Sequence, residues 1–223
     1  MEKKEIFAKI VRTVFVPPVM VTALILVLLV ARKGVISSGA ETAAAILFLG
    51  IVPVLAYPAQ HFMPCYKDAG REGQRKLAFL FSLAGYALAL ASGIVLRSGR
   101  GMMLVFFTYF ISVLLLTFCN AVLKIRASGH MCSITGPMAL LAWFFDWKVL
   151  LPCILLFILV AWSSVLLKRH TVREIVFGGC VGVMGFFFFH SGIRSVPGGG
   201  SIGACPCVDA VLKQHNFPIV RDQ

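Results

Sequence analysis

Charge is scarce in this chain, and negative charge is scarcest. Only 13% of its 223 residues are Asp, Glu, Lys or Arg, with nine acidic residues against 21 basic ones. A soluble domain carries roughly a quarter of its residues as charges. With 59% hydrophobic residues, this scarcity excludes a soluble globular protein. The class expected is an all-α, polytopic membrane helix bundle, and the length suits one domain. The imbalance leaves a formal net charge of +12. No stripe of Lys and Arg is interleaved with aromatics, so nucleic acid is not an expected partner. The cations sit in short stretches between apolar runs, where they suit membrane orientation and anionic headgroups or phosphates.

Other patterns are missing too. Seven cysteines occur, yet no paired CxxC or Cys/His spacing marks a metal site. No metal and no cofactor is expected. An odd count spread through apolar helices excludes a disulfide framework. Cys119, Cys153 and Cys180 sit inside apolar runs as small hydrophobes. The start of the chain lacks a cleavable signal, because the apolar run from Ile10 to Ala31 is too long and Arg32-Lys33 follows it. It is expected to stay as a membrane helix. No internal repeat is evident.

Six to seven apolar segments approach the length of about 20 residues that a membrane crossing needs. They fall near 10–31, 40–58, 77–96, 102–123, 131–146, 149–167 and 173–190. Pro17-Pro18 should kink the first or mark its true start. Residues 1–190 form the transmembrane domain in this division. Residues 191–223 form a flexible tail, led by Ser195 to Ser201 with three glycines and carrying Cys205-Pro206-Cys207. Trp143, Trp147 and Trp162 suit interfacial belts. Glu41, Asp146 and Asn120 are polar groups at or near span ends.

Seven crossings put residues 1–9 and the loops 59–76, 124–130 and 168–173 on one face. Most of the 21 Lys and Arg residues lie there. The positive-inside rule makes that face, and the N-terminus, cytoplasmic. The expected location is the plasma membrane.

Two histidines stand at the mouths of helices on this face. His130 ends Arg126-Ala127-Ser128-Gly129-His130, and His170 lies in Lys168-Arg169-His170-Thr171-Val172-Arg173-Glu174. Phosphate chemistry suits such a set. Guanidinium groups pair with phosphoryl oxygens through two hydrogen bonds. Freed N–H groups at a helix start add donors, a role that fits Ser128-Gly129. An imidazole can attack phosphorus or protonate a leaving oxygen. Glu174 follows His170 by four residues, one helical turn along the same face. Blander roles exist for each residue. Thr171 and Glu174 match a capping box, the cations match orientation signals, and Gly178, Gly179, Gly182 and Gly185 match a close helix-packing face.

Taken together, these segments resemble the type 2 phosphatidic acid phosphatase superfamily of integral-membrane lipid phosphate phosphatases. Ala127-Ser128-Gly129-His130 resembles its Pro-Ser-Gly-His motif. Ser163-Ser164-x5-His170-x3-Glu174 resembles its Ser-Arg-x5-His-x3-Asp motif. Lys67 to Arg75 loosely resembles its Lys-x6-Arg-Pro element. The resemblance implies His170 as nucleophile, His130 as general acid and Glu174 as the group that orients His170. It implies Lys67, Arg75, Arg126, Ser128, Gly129 and Arg169 as phosphate ligands. The substrate implied is a membrane lipid phosphate or an isoprenoid phosphate or diphosphate. This chain departs from the pattern at Ala127, at Glu174, at Lys76 in place of Pro, and in a Lys67–Arg75 spacing longer by one residue. Most notably, Ser164 stands where the family has an arginine. Arg169, Lys168 and Arg126 are the expected substitutes. The alternatives are a lipid-binding or scaffold protein on the same fold, and an anion transporter.

Overall fold

A computed structural model describes residues 3–194 of the chain. Its helices are α1 (Lys3–Val14), α2 (Pro17–Ala31), α3 (Gly39–Ala45), α4 (Val52–Val54), α5 (Ala56–Phe62), α6 (Pro64–Lys67), α7 (Gly70–Val95), α8 (Arg100–Thr117), α9 (Gly129–Phe144), α10 (Leu150–Leu166) and α11 (Val172–Arg194). Wide π-helical turns continue α3 over Ile46–Ile51 and α8 over Phe118–Val122. Among the described residues the only β pairing is a single bridge between Lys33 and Ile36. The described part of the chain is therefore all-helical.

The apolar residues are distributed as a membrane helix bundle requires. Leu24, Ile25, Leu28, Leu49, Met102, Phe106 and Leu140 are buried in one interior cluster. Equally large side chains point outward: Val30 is 76% exposed, Val95 81% and Leu151 66%. Water would penalise such faces by about 25 cal/mol for each Å2 of apolar surface, whereas lipid tails accept them. Small polar side chains join the helices inside. Thr108, Ser112, Thr135, Ser163 and Ser164 are buried, and the Thr135 hydroxyl donates to the Gly179 carbonyl at 3.0 Å. Small residues of this kind let helix backbones approach closely in lipid.

Among the described residues three helical stretches are long and apolar enough to cross a membrane: Glu72–Val95, Arg100–Val122 and Trp147–Leu166. The number rises to five if each of two bent pairs counts as one span. This is fewer than the six to seven expected from apolar runs, for physical reasons. Pro17 and Pro18 open a new helix, so the first run is two helices bent by 56°. The second run breaks by 41° after Val54. The helix holding His130 has 16 residues, short of a full crossing. The last helix runs through Arg194, beyond the boundary expected at 190. The Gly-rich tail and its Cys205 and Cys207 lie outside the described residues.

Two of the polar residues noted near span ends hold helix starts. The Glu41 carboxylate accepts from the Ser37 N–H at 2.7 Å, and the Ser38 hydroxyl, the cap of α3, accepts from the Glu41 N–H. Asp146 accepts from the N–H of Trp147. Ser38 and Asp146 thus each satisfy an N–H that a helix start leaves unpaired.

Candidate functional site

The two histidine segments meet because α11 lies directly on the start of α9. At Gly178 the α11 backbone is so close that a Cβ would collide with the backbone of Ser128. The Ser128 N–H donates to the Glu174 carbonyl at 2.9 Å, which ties the first turn of α11 to the residue before α9. Ser128 caps α9, with its hydroxyl accepting from the Met131 N–H at 3.4 Å. One buried backbone contact thus sets His130 and His170 side by side.

The spacing of His170 and Glu174 gives the contact that helical geometry predicts. His170 Nδ1 lies 2.7 Å from Glu174 Oε2. The capping role of Thr171 is also present, its hydroxyl accepting from the Glu174 N–H at 3.4 Å. The two contacts use different atoms of Glu174, so its backbone N–H is capped by Thr171 while its carboxylate stays with His170. Arg126 Nε stands 4.0 Å from the other carboxylate oxygen. Burial pushes the His170 imidazole below its ordinary pKa, and the charges of Arg12 and Arg75 push the same way, while Glu174 opposes them.

Both histidines line one cavity of about 730 Å3. Its basic wall comprises Arg12, Arg75, Arg126, Lys168 and Arg169. The cavity continues inward to Tyr86, Tyr109, Ser112 and Cys132. Tyr86 and Tyr109 pack edge to face with ring centroids 5.5 Å apart, and the Tyr109 hydroxyl is buried without a hydrogen-bond partner.

Of the residues expected at the site, His130, His170, Arg75, Arg126, Gly129 and Arg169 line this cavity. Glu174 reaches it through His170. Two expected phosphate ligands do not line it. Lys67 is exposed at the end of the short helix α6, ahead of the left-handed turn at Gly70 that opens α7. Ser128 is fully buried and its hydroxyl is engaged by the helix cap. It shapes the site by holding the start of α9.

Two contributors were not expected. Asn120 sits in the π turn that ends α8. Its side-chain oxygen accepts from Arg75 and from the Ala127 N–H, which fastens Arg75 to the loop before His130. Such wide turns often occur at functional sites, and they leave no signature in hydropathy. The other is Arg12. Its Nη1 donates to Ser164 Oγ at 3.0 Å, and its carbonyl lies 3.4 Å from His130 Nε2. The cation beside Ser164 is therefore Arg12 from the first helix, in place of Arg169, Lys168 or Arg126. Its nearest sequence cue is its position at the edge of an apolar run, which orientation alone would explain. Comparison with known proteins returns no matching family model, no matching curated protein and no matching solved structure.

Proposed function

We propose that this chain is an integral-membrane phosphatase acting on a lipid phosphate or an isoprenoid phosphate or diphosphate through a phosphohistidine on His170. The observation that carries this reading is the 2.7 Å contact of His170 Nδ1 with Glu174 Oε2, on a cavity shared with His130 and four arginines. With Nδ1–H donating to the carboxylate, the lone pair on Nε2 is free to react. Nε2 attacks phosphorus, the bond to the leaving oxygen breaks, and His130 supplies the proton that this oxygen takes up. Water then attacks the phosphohistidine, giving a proton back to His130. The N–P bond breaks, inorganic phosphate leaves and His170 returns to its neutral form. Arg75, Arg126 and Arg169, with the N–H groups opening α9 at Gly129, receive the phosphoryl oxygens. Every role falls to a side chain or a backbone group, so the reaction uses no metal ion and no cofactor.

In this reading the chain crosses the bilayer six or seven times, with its N-terminus in the cytoplasm and its location the plasma membrane. The cationic excess on the histidine-bearing face supports that orientation. The lipid tail enters sideways between helices while its headgroup meets the basic wall.

The deciding experiment offers the full-length reconstituted protein phosphatidic acid, phosphatidylglycerol phosphate and isoprenoid phosphates and diphosphates, with a chelator present. Release of inorganic phosphate from at least one is expected. Release from none would overturn the reading in favour of a second one, lipid-phosphate binding without turnover. The burial of Ser163 and Ser164, two small neutral hydroxyls, favours that second reading.

The pH dependence has a definite sign. His170 attacks only as neutral imidazole, so its pKa sets the acid limb of kcat/KM. Glu174 stabilises the imidazolium and raises that pKa. In Glu174→Gln this support is gone and the pKa falls further. The acid limb should move to lower pH while the plateau drops, because the tautomer is no longer fixed. An acid limb that stays in place or moves to higher pH would remove Glu174 from this role.

A further inference from the structure

Arg12 is placed unlike the other cations of the basic wall. It reaches the cavity from α1, and its contact with Ser164 joins positions 152 residues apart. Its placement is built, in three ways. Pro17 and Pro18 start a new helix and bend the chain by 56°, which lets α1 leave the line of α2. Val11 is buried in a cluster with Met131, Ile134, Val160 and Ile175, from the helices that carry the rest of the site. Phe7 packs on Trp162 at 6.1 Å between ring centroids.

Among the described residues no carboxylate pairs with the guanidinium held there. The two ion pairs at the site, Arg126–Glu174 and His170–Glu174, do not include Arg12. A guanidinium has five N–H donors and a charge that burial makes costly unless it is paired. The side-chain partner that Arg12 has, Ser164, is a fully buried neutral hydroxyl. A serine accepts one hydrogen bond and fixes the direction of the guanidinium without cancelling its charge. A carboxylate at the same place would fix it and cancel it. The remaining charge acts on His170, within the cavity that both share. An uncompensated, oriented guanidinium beside a candidate phosphorus nucleophile lacks only an anion.

We propose that Arg12 is the guanidinium that grips the phosphoryl oxygens of the substrate, and that Ser164 is the positioning residue that aims it. This rests on the phosphate-transfer reading above and names a binding group that none of the histidine-bearing segments supplies.

Two readouts separate the proposal from that reading. The first is binding of inorganic orthophosphate to the full-length reconstituted protein, by calorimetry. The second is hydrolysis of the lipid phosphate panel. Arg12→Gln should weaken orthophosphate binding at least about tenfold and lower kcat/KM by roughly 10^2-fold, the range of a lost charged transition-state contact. Arg12→Lys keeps the charge but not the fork, so its loss should be intermediate. It also supplies the measurement if the glutamine variant fails to fold. Ser164→Ala should cost about threefold in orthophosphate affinity, and Ser164→Thr, which keeps the hydroxyl, should restore it. Absence of orthophosphate binding by the natural protein overturns the proposal, as does unchanged binding in Arg12→Gln, or in Arg12→Lys where that variant is the one that folds. Hydrolysis by the natural protein with unchanged kcat/KM in Arg12→Gln overturns it while leaving the phosphatase reading intact. Binding that depends on Arg12 with no hydrolysis of any lipid phosphate does the reverse.

Discussion

Replacing His170 with alanine should lower phosphate release by about 10^3-fold or more, the scale on which enzymes lose rate when a covalent nucleophile is removed. The substitution removes both the attacking nitrogen and the partner of Glu174, whose carboxylate then faces Arg126 alone. His170 is half-buried at the turn between α10 and α11, so folding should survive and the loss should fall on kcat. A second measurement makes the result specific. The natural protein, quenched during turnover of a radiolabelled substrate, should carry an acid-labile, alkali-stable phosphate, and His170→Ala should carry none. Retained turnover in the alanine variant would eliminate the phosphohistidine route.

The second large effect is expected at a glycine outside the cavity lining. Gly178→Ala should both destabilise the protein and cut its activity. The new methyl group would meet backbone atoms of Ser128, which cannot swing aside as a side-chain tip can. Overpacking of this kind costs about 1–3 kcal/mol, and here relief requires α11 to move off the start of α9. That movement parts His130 from His170 and strains the hydrogen bond from Ser128 N–H to the Glu174 carbonyl. Gly39→Ala is the matched control, because a Cβ at Gly39 meets nothing within 4 Å. Thermal unfolding in detergent, read beside phosphate release, should separate the two variants clearly. If Gly178→Ala matches the control on both measurements, the close approach does not hold the site together.

What could be read from the sequence followed the range over which its signals act. His170 and Glu174 are one helical turn apart, so their contact is local and follows from spacing. Thr171 as the cap of α11 is also local, whereas Ser128, read as a phosphate ligand, proves to be the cap of α9. The glycines read as a close-packing face do pack closely, at Gly178 against Ser128 and at Gly182 against Thr135. Lys67 stands off the cavity, ahead of the left-handed turn at Gly70, which a motif spacing does not reveal. Asn120 depended on a π turn whose wider pitch hydropathy does not report. Arg12 depended on a proline-induced bend followed by packing against α10, and no pattern within a single segment encodes a contact of that span. The first two apolar runs are continuous in composition but bent in space, and composition alone does not report a bend.

The bend at Pro17 also has a consequence for biosynthesis. Ribosomes make Arg12 long before Ser164, His170 and Glu174, so no nascent chain ending before α11 contains a complete site. Phe7 and Val11 gain their packing partners only once α10 exists. On the proposed reading, a protein assembled in this way would be silent throughout its own insertion. It would first meet its substrate only when α11 closes the bundle.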